Sequence, residues 1–208
     1  MKYILPDKLK IHYEKTKIQI KKRLDEFSIV PESEYFYELC FCFCTPQSKA
    51  KSAIEVVEEL KEHDFQNKQF DPVKILADKS HYIRFHNQKS KNMMNMKSIY
   101  ADILKLLKSE LKPVEKRLWL AENVKGLGMK ESSHFLRNIG YSNLAILDRH
   151  ILKNLVDFKE FKEIPKVGTI KNYIHAEKKF IKFSDSIGIP IDELDLLFWS
   201  YETGEILK

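Results

Sequence analysis

Residues 124–140 read VKGLGMKESSHFLRNIG. Gly126 and Gly128 bracket one leucine, and Lys130 stands two residues later, where a helical pattern begins. Glycine admits positive φ and leaves a loop surface bare. A helix that starts from such a loop points its first-turn N–H groups outward, which makes a phosphate cradle indifferent to base sequence. The preceding LAENV continues a helix, so about 115–139 reads as helix, short hairpin, helix, with Ser132 and Ser133 as small residues behind the turn. At 100° per residue, Ser132, Phe135, Leu136 and Ile139 share one face, which must be core. Lys130, His134 and Arg137 fall opposite, where a solvated basic face is expected.

Outward from the hairpin, helical periodicity dominates. The patterns predict helices over Leu9–Phe27, Ser33–Cys44 (with a capped, acidic start), Lys49–His63, a short VKILADK after Asp71-Pro72, Met93–Leu111, Val114–Glu122, a helix capped by Asp148, Thr169–Ser186 and Asp192–Glu202. Thr45-Pro46-Gln47-Ser48 breaks one pattern, and SHYIRFHNQKSKN reads as a basic polar segment. The fold class is therefore all-α, about ten helices, arranged as one unit of residues 1–208 or as two small helical lobes flanking a cleft. No internal repeat is visible.

Composition narrows the partners. With 208 residues, 43% hydrophobic and 32% charged, a packed core is affordable. The net charge of +6 permits nucleic acid without proving it. MKYILPDKLKIHYEK interrupts its apolar residues with lysine, so no leader segment is expected, and no run approaches the ~20 apolar residues of a membrane span. A soluble, intracellular, cytoplasmic protein is expected. The 3 cysteines, Cys40, Cys42 and Cys44, lie in LCFCFC; their odd number and tight spacing predict reduced thiols in a core helix, neither a disulfide framework nor a metal site.

In GYSNLAILDRHILKNL the chain comes out of an apolar run and presents Asp148 at a helix N-cap. Capping alone explains an aspartate there. A lysine after a glycine hairpin, followed 18 residues later by such an aspartate, is a more specific combination. GLGMKESSHFLRNIGYSNLAILDRHIL, with the terminal DLLFWSYETGEILK, resembles the type-2 8-oxoguanine DNA glycosylase/AP lyases of archaea and bacteria, a branch of the helix-hairpin-helix DNA glycosylases. The resemblance is strongest over 118–151 and 193–208 and looser at YELCFCFCTPQ and IRFHNQKSK.

The resemblance implies the helix-hairpin-helix glycosylase fold and a bifunctional repair enzyme, with Lys130 as nucleophile and Asp148 as its catalytic partner. An amine at the anomeric carbon displaces the base and leaves an imine, and the imine lets the 3′ phosphate depart by β-elimination. A carboxylate favours the ammonium form of a neighbouring lysine, so Asp148 is assigned to stabilising positive charge on the sugar and to relaying protons. Burial or nearby cations, with His134 and Arg137 as candidates, are left to activate Lys130. The resemblance also assigns the terminal carboxylate of Lys208 to the N7–H of 8-oxoguanine, while Trp199 either stacks on that base or fills the core.

DNA contacts are assigned to Lys125, Gly126, Gly128, Gln47, Arg84, Phe85 and Arg149. The target base must leave the stack, and the loop Thr45–Ser48 and the segment Arg84–Asn87 match the regions expected to fill the hole. Relatives lead to Thr-Ala-Asn where this chain has Thr45-Pro46-Gln47. The expected partner is duplex DNA carrying 8-oxoguanine or an abasic site, bound by a monomer. No catalytic metal, iron–sulfur cluster or other cofactor is expected, apart from a monovalent cation at the hairpin carbonyls. Two alternatives stay open: an idle helix-hairpin-helix DNA-binding module, and the same lyase chemistry on another damaged base.

Overall fold

The computed structural model describes residues 5–208, and every regular element among them is helical. The first four residues of the stretch read above as lacking a leader lie outside the described residues. The helices are α1 (Asp7–Ser28), α2 (Tyr35–Cys44), α3 (Ala50–Glu62), α4 (Val73–Ala77), α5 (His86–Ser98), α6 (Tyr100–Lys108), α7 (Pro113–Asn123), α8 (Met129–Asn138), α9 (Arg149–Asp157), α10 (Ile170–Ile187) and α11 (Ile191–Thr203). They fall into two compact units, one of residues 30–139 and the other of α1 with everything from Gly140 onward.

Two boundaries differ from the sequence reading. The helix expected over Met93–Leu111 is two helices: α5 begins seven residues earlier, at His86, and the chain breaks at Ile99 (φ −111°, ψ 11°) before α6. Periodicity misses the start of α5 because its buried face is largely polar, with Lys89, Ser90 and Asn92 beside Met93 and Met96. The capped start expected at Ser33 is instead a 3-10 turn, Glu32–Glu34, and Glu34 makes no side-chain cap.

The unit of residues 30–139 is built around α2, which packs against α3, α5 and α8. Every residue from Phe36 to Cys44 is buried, as befits a helix that is apolar on all sides. The run LCFCFC is thus helix, and its three free cysteines are fully enclosed. Burial pushes all three thiols up, Cys44 to about 12. They are packing residues, protonated and inert.

In the other unit, α11 is the centre, with α1, α9 and α10 against it. Phe158 stacks on Phe183 at 4.7 Å and on Phe198 at 5.9 Å. Two polar bonds tie α1 to α11: the Tyr13 hydroxyl donates to Glu193 Oε2 at 2.5 Å, and His12 Nε2 lies 3.0 Å from Ser200 Oγ.

The run Leu144–Leu147 leads to Asp148, is buried throughout, and belongs to no helix. Its backbone groups therefore need side-chain partners. Ala145 N–H donates to Glu177 Oε1 at 3.1 Å, and Asn143 N–H to Asp192 Oδ2 at 2.9 Å. The Tyr173 hydroxyl donates to Ala145 O at 2.6 Å and accepts from Leu147 N–H at 3.2 Å. Tyr173, itself buried, thus fixes two backbone groups with one oxygen. Tyr173→Phe is expected to lower stability by about 1–3 kcal/mol in chemical denaturation, because both groups stay buried without their partner.

Candidate active site

Helix α7 starts from Pro113, which suits a first helical position. Past its end, Leu127 N–H donates to Val124 O at 3.0 Å and closes the hairpin. Leu127 and Met129 turn inward, while Lys125, Gly126 and Gly128 are exposed and form the outer surface of the tip. The two glycines serve different ends. Gly126 has φ +93°, and a Cβ there would lie 2.1 Å from Asn92 Nδ2, so both conformation and space require glycine. Gly128 is extended (φ −93°, ψ −175°), a conformation open to any residue, and a Cβ would approach only Glu131 Oε2, at 3.2 Å. The positive φ that the sequence suggests for the pair belongs to Gly126.

Gly128 is the N-cap of α8, and its N–H donates to Glu131 Oε2 at 3.3 Å. The first intrahelical bond runs from Ser132 N–H to Gly128 O at 2.9 Å, so the N–H groups of Met129 and Lys130 precede it and face out of the helix end. Lys130 stands in this first turn with its side chain 27% exposed, and its Nζ lies 3.0 Å from Glu131 Oε1. One carboxylate therefore holds the hairpin backbone with one oxygen and the Lys130 ammonium with the other. Glu131 escaped the sequence reading, although glutamate at the third helical position is a readable capping signal.

The basic face expected opposite the core side of α8 is not solvated. His134 is 8% exposed and Arg137 4%. Helix α8 is covered by α2 as well as α7; the Phe41 ring meets His134 edge-on at 5.7 Å, and Asn138 Nδ2 donates to Glu38 Oε2 at 3.0 Å. An apolar stripe marks only the face that meets apolar neighbours, and here a second face meets polar ones. The Cys42 thiol feels the charges of α8: burial pushes it well up, the Glu38 and Glu131 charges add to this, and the charges of Lys130 and Arg137 oppose it.

A second cluster in the same unit joins Gln47, Arg84 and Phe85. Gln47 (φ +58°) and Phe85 (φ +62°) are both exposed and both left-handed, a strained state for such side chains. Asparagine, to which the resemblance leads at the first position, tolerates that region better than glutamine. Arg84 N–H donates to Ser48 Oγ at 3.0 Å, which joins the two loops, and the Arg84 guanidinium lies 4.9 Å above the Phe85 ring. Lys89 and Asn92, absent from the sequence reading, are buried beneath these loops and beneath Gly126.

Asp148, Arg149, Trp199 and Lys208 belong to the other unit. Asp148 caps α9, its Oδ1 accepting from His150 N–H at 2.8 Å and Ile151 N–H at 2.9 Å. Arg149 is exposed next to it, and an ion pair of Lys153 with Glu202 (3.2 Å) fastens α9 to α11. Trp199 is partly buried. Helix α11 stops at Gly204 (φ +79°), and Lys208 ends the chain half-buried. Among the described residues no group of three or more His, Cys, Asp or Glu could hold a metal ion.

Comparison with known proteins covers nearly the whole chain. A family model described as 8-oxoguanine DNA glycosylase matches residues 20–189. The 8-oxoguanine DNA glycosylase/AP lyase of Fusobacterium nucleatum is 38% identical over 94% of both chains. The Methanocaldococcus jannaschii protein of the same description is 32% identical over 91% of both. A solved structure of the latter, in complex with a 15mer DNA containing 8-oxoguanine, aligns with TM-score 0.84 at 30% identity over 96% of this chain and 99% of that one. The 8-oxoguanine DNA glycosylase of Thermotoga maritima also aligns at 0.84, with 28% identity over 97% of each.

The glycine asymmetry makes a direct prediction. Gly126→Ala is expected to cost about 1–3 kcal/mol, and Gly128→Ala about 0.5 kcal/mol or less, in paired denaturation curves. DNA affinity should fall with the first and hold with the second.

Proposed function

The chain belongs to the 8-oxoguanine DNA glycosylase family, and from that premise we propose that it excises 8-oxoguanine from duplex DNA and cuts the abasic strand with Lys130 as nucleophile. The observation that carries the assignment is the position of Lys130: a partly exposed amine in the first turn after the hairpin, held by a carboxylate that also holds the hairpin. Phosphate on the outward N–H groups of α8 sets a nearby sugar within reach of that amine.

The resting Lys130 is paired with Glu131 and must give up a proton before it attacks. Glu131 Oε1, at 3.0 Å, pairs with that amine at rest, and the pair must part before the attack. The neutral amine bonds to C1′ of the sugar as the C1′–N9 bond breaks, and the departing base takes up a proton. Ring opening then leaves a protonated imine between Lys130 and C1′. Loss of a C2′ proton to a base expels the 3′ phosphate, and water releases the lysine. Asp148 supplies negative charge to the cationic sugar and carries protons between these steps. Its Oδ1 is committed to the cap, whereas Oδ2 has no hydrogen bond among the described residues.

We assign base selection to Lys208, as the family resemblance implies: a terminal carboxylate there would accept from the N7–H of 8-oxoguanine but would face a lone pair on guanine, a difference large enough to discriminate. Partly exposed Trp199 offers a face on which the base can stack. Lys125, Arg149 and the hairpin bind phosphate, and Gln47, Arg84 and Phe85 meet the opened duplex. The hairpin offers only backbone carbonyls; Val124 O and Gly128 O each accept one N–H and keep a lone pair, a donor set that suits a monovalent cation. When bound, such an ion would attract DNA phosphate. We assign the activity to a monomer acting on the cell's own DNA. No helix among the described residues is long and apolar enough to cross a membrane.

Two experiments test this. Lys130→Gln should abolish borohydride trapping and strand cleavage on an 8-oxoguanine duplex with binding retained, whereas Asp148→Asn, which can still cap α9, should slow excision by about 10²–10⁴-fold. Loss of binding together with activity in Lys130→Gln would count against the nucleophile. Extending the chain beyond Lys208 by a short tag should lower 8-oxoguanine excision by about tenfold or more and spare cleavage of a preformed abasic site. An equal effect on both reactions would remove the carboxylate from base recognition.

A further inference from the structure

Lys89 reaches the two loops of the second cluster from opposite ends of one residue. Its Nζ donates to Cys44 O at 2.8 Å, to Pro46 O at 2.6 Å and to Ser48 Oγ at 3.4 Å. These acceptors flank Gln47 on both sides. Its backbone N–H donates to Phe85 O at 3.0 Å, the first turn of α5. Ser48 Oγ closes the circuit by accepting from Arg84 N–H. The loop around Gln47 is thus held by the buried Lys89 side chain, while Phe85 is joined to the same residue through its backbone N–H and, by way of Arg84, to Ser48.

Helix-end packing alone does not account for this arrangement. Cys44 O is one of the last carbonyls of α2, where a cation is favourable. Pro46 O and Ser48 Oγ lie beyond the helix, in a loop that could face water without help. Burying an ammonium is unfavourable, and an apolar side chain of similar volume would fill the space without that penalty. Burial pushes the Lys89 amine down to about 8; the charge of Lys130 acts in the same direction, while Cys44 and Glu131 oppose it. What an apolar residue lacks is the means to hold the end of α2 and two oxygens of the following loop in one geometry.

We propose that Lys89 is a positioning residue that sets Gln47 and Phe85 at one fixed spacing, so that both side chains enter the duplex together when the target base is turned out. This rests on the DNA contacts proposed above for Gln47, Arg84 and Phe85. Holding the pair rigid lowers the ordering cost of insertion, since two strained loops need not find their positions anew on each encounter. Lys89 touches neither base nor sugar, and its effect runs through the two tips.

The test compares Lys89→Met, the milder Ser48→Ala, the tip variant Gln47→Ala/Phe85→Ala, and Lys89→Met within the tip variant. Thermal unfolding identifies the folded proteins. Two activities are read: single-turnover excision of 8-oxoguanine from duplex, and borohydride trapping on an abasic single strand, where no duplex has to be held open. Lys89→Met is expected to slow duplex excision about tenfold and to change single-strand trapping by no more than about twofold. Ser48→Ala should slow duplex excision about threefold, and it carries the test should Lys89→Met fail to fold. Within the tip variant, Lys89→Met should add no further loss. Equal loss of both activities, or a full additional loss in the tip variant, would overturn the inference. Normal duplex excision by Lys89→Met and Ser48→Ala, while the tip variant is impaired, would overturn it and leave the DNA contacts standing. Normal excision by the tip variant would remove the DNA contacts and the role of Lys89 together.

Discussion

Backbone that leaves a helix inside a protein must find new hydrogen-bond partners, and in this chain polar side chains supply them wherever a candidate functional residue is presented. Glu131 takes the hairpin N–H of Gly128. Tyr173 and Glu177 take the backbone of the buried run before Asp148, and Asp192 takes the N–H of Asn143 just ahead of it. Lys89 takes the carbonyls around Gln47. The same device recurs in Lys97, which binds Phe65 O and Lys68 O, and in Lys116, which binds Leu107 O. An all-helical chain has no sheet to satisfy its connections, so irregular backbone is held by long side chains from neighbouring helices.

This requirement explains why so many polar groups lie inside the unit of residues 30–139. Glu38, Lys89, Lys116, Arg117, His134 and Arg137 are all nearly enclosed. Each costs desolvation, which is recovered only where geometry supplies partners. An oily core would tolerate sliding of α8 against α2 by small amounts. A core in which Asn138 must meet Glu38, and Arg117 must meet Ser133, fixes one register. Lys130, in the first turn of α8, inherits that register.

What was legible in the sequence was local. The hairpin, the first-turn lysine and the Asp148 cap are each specified within a few residues, so pattern and resemblance located them. The enclosed cysteines were readable for the same reason, since nine consecutive residues of α2 are buried. What was not legible depended on partners distant in sequence. Lys89 meets acceptors more than 40 residues away, and its polar helix face carries no apolar stripe, so α5 itself was missed at its start. His134 and Arg137 looked solvated because a helical wheel cannot show that α2 lies across them. The difference between Gly126 and Gly128 comes from Asn92, which no local pattern connects to the hairpin.

The two carboxylates nearest the proposed chemistry divide their oxygens in the same way. Asp148 gives Oδ1 to the backbone of α9, while its Oδ2 has no hydrogen bond among the described residues. Glu131 gives Oε2 to the hairpin and Oε1 to Lys130. A carboxylate bound to rigid backbone through one oxygen needs no further support to aim the other, because the planar group has little freedom left once χ is set. Structural and chemical duties are therefore separable in principle: an amide in the same place can still accept from backbone N–H through its carbonyl oxygen, yet carries no charge. The helix caps that a fold of this kind must have in any case are the least costly positions from which to direct a negative charge, and the chain places its acids there.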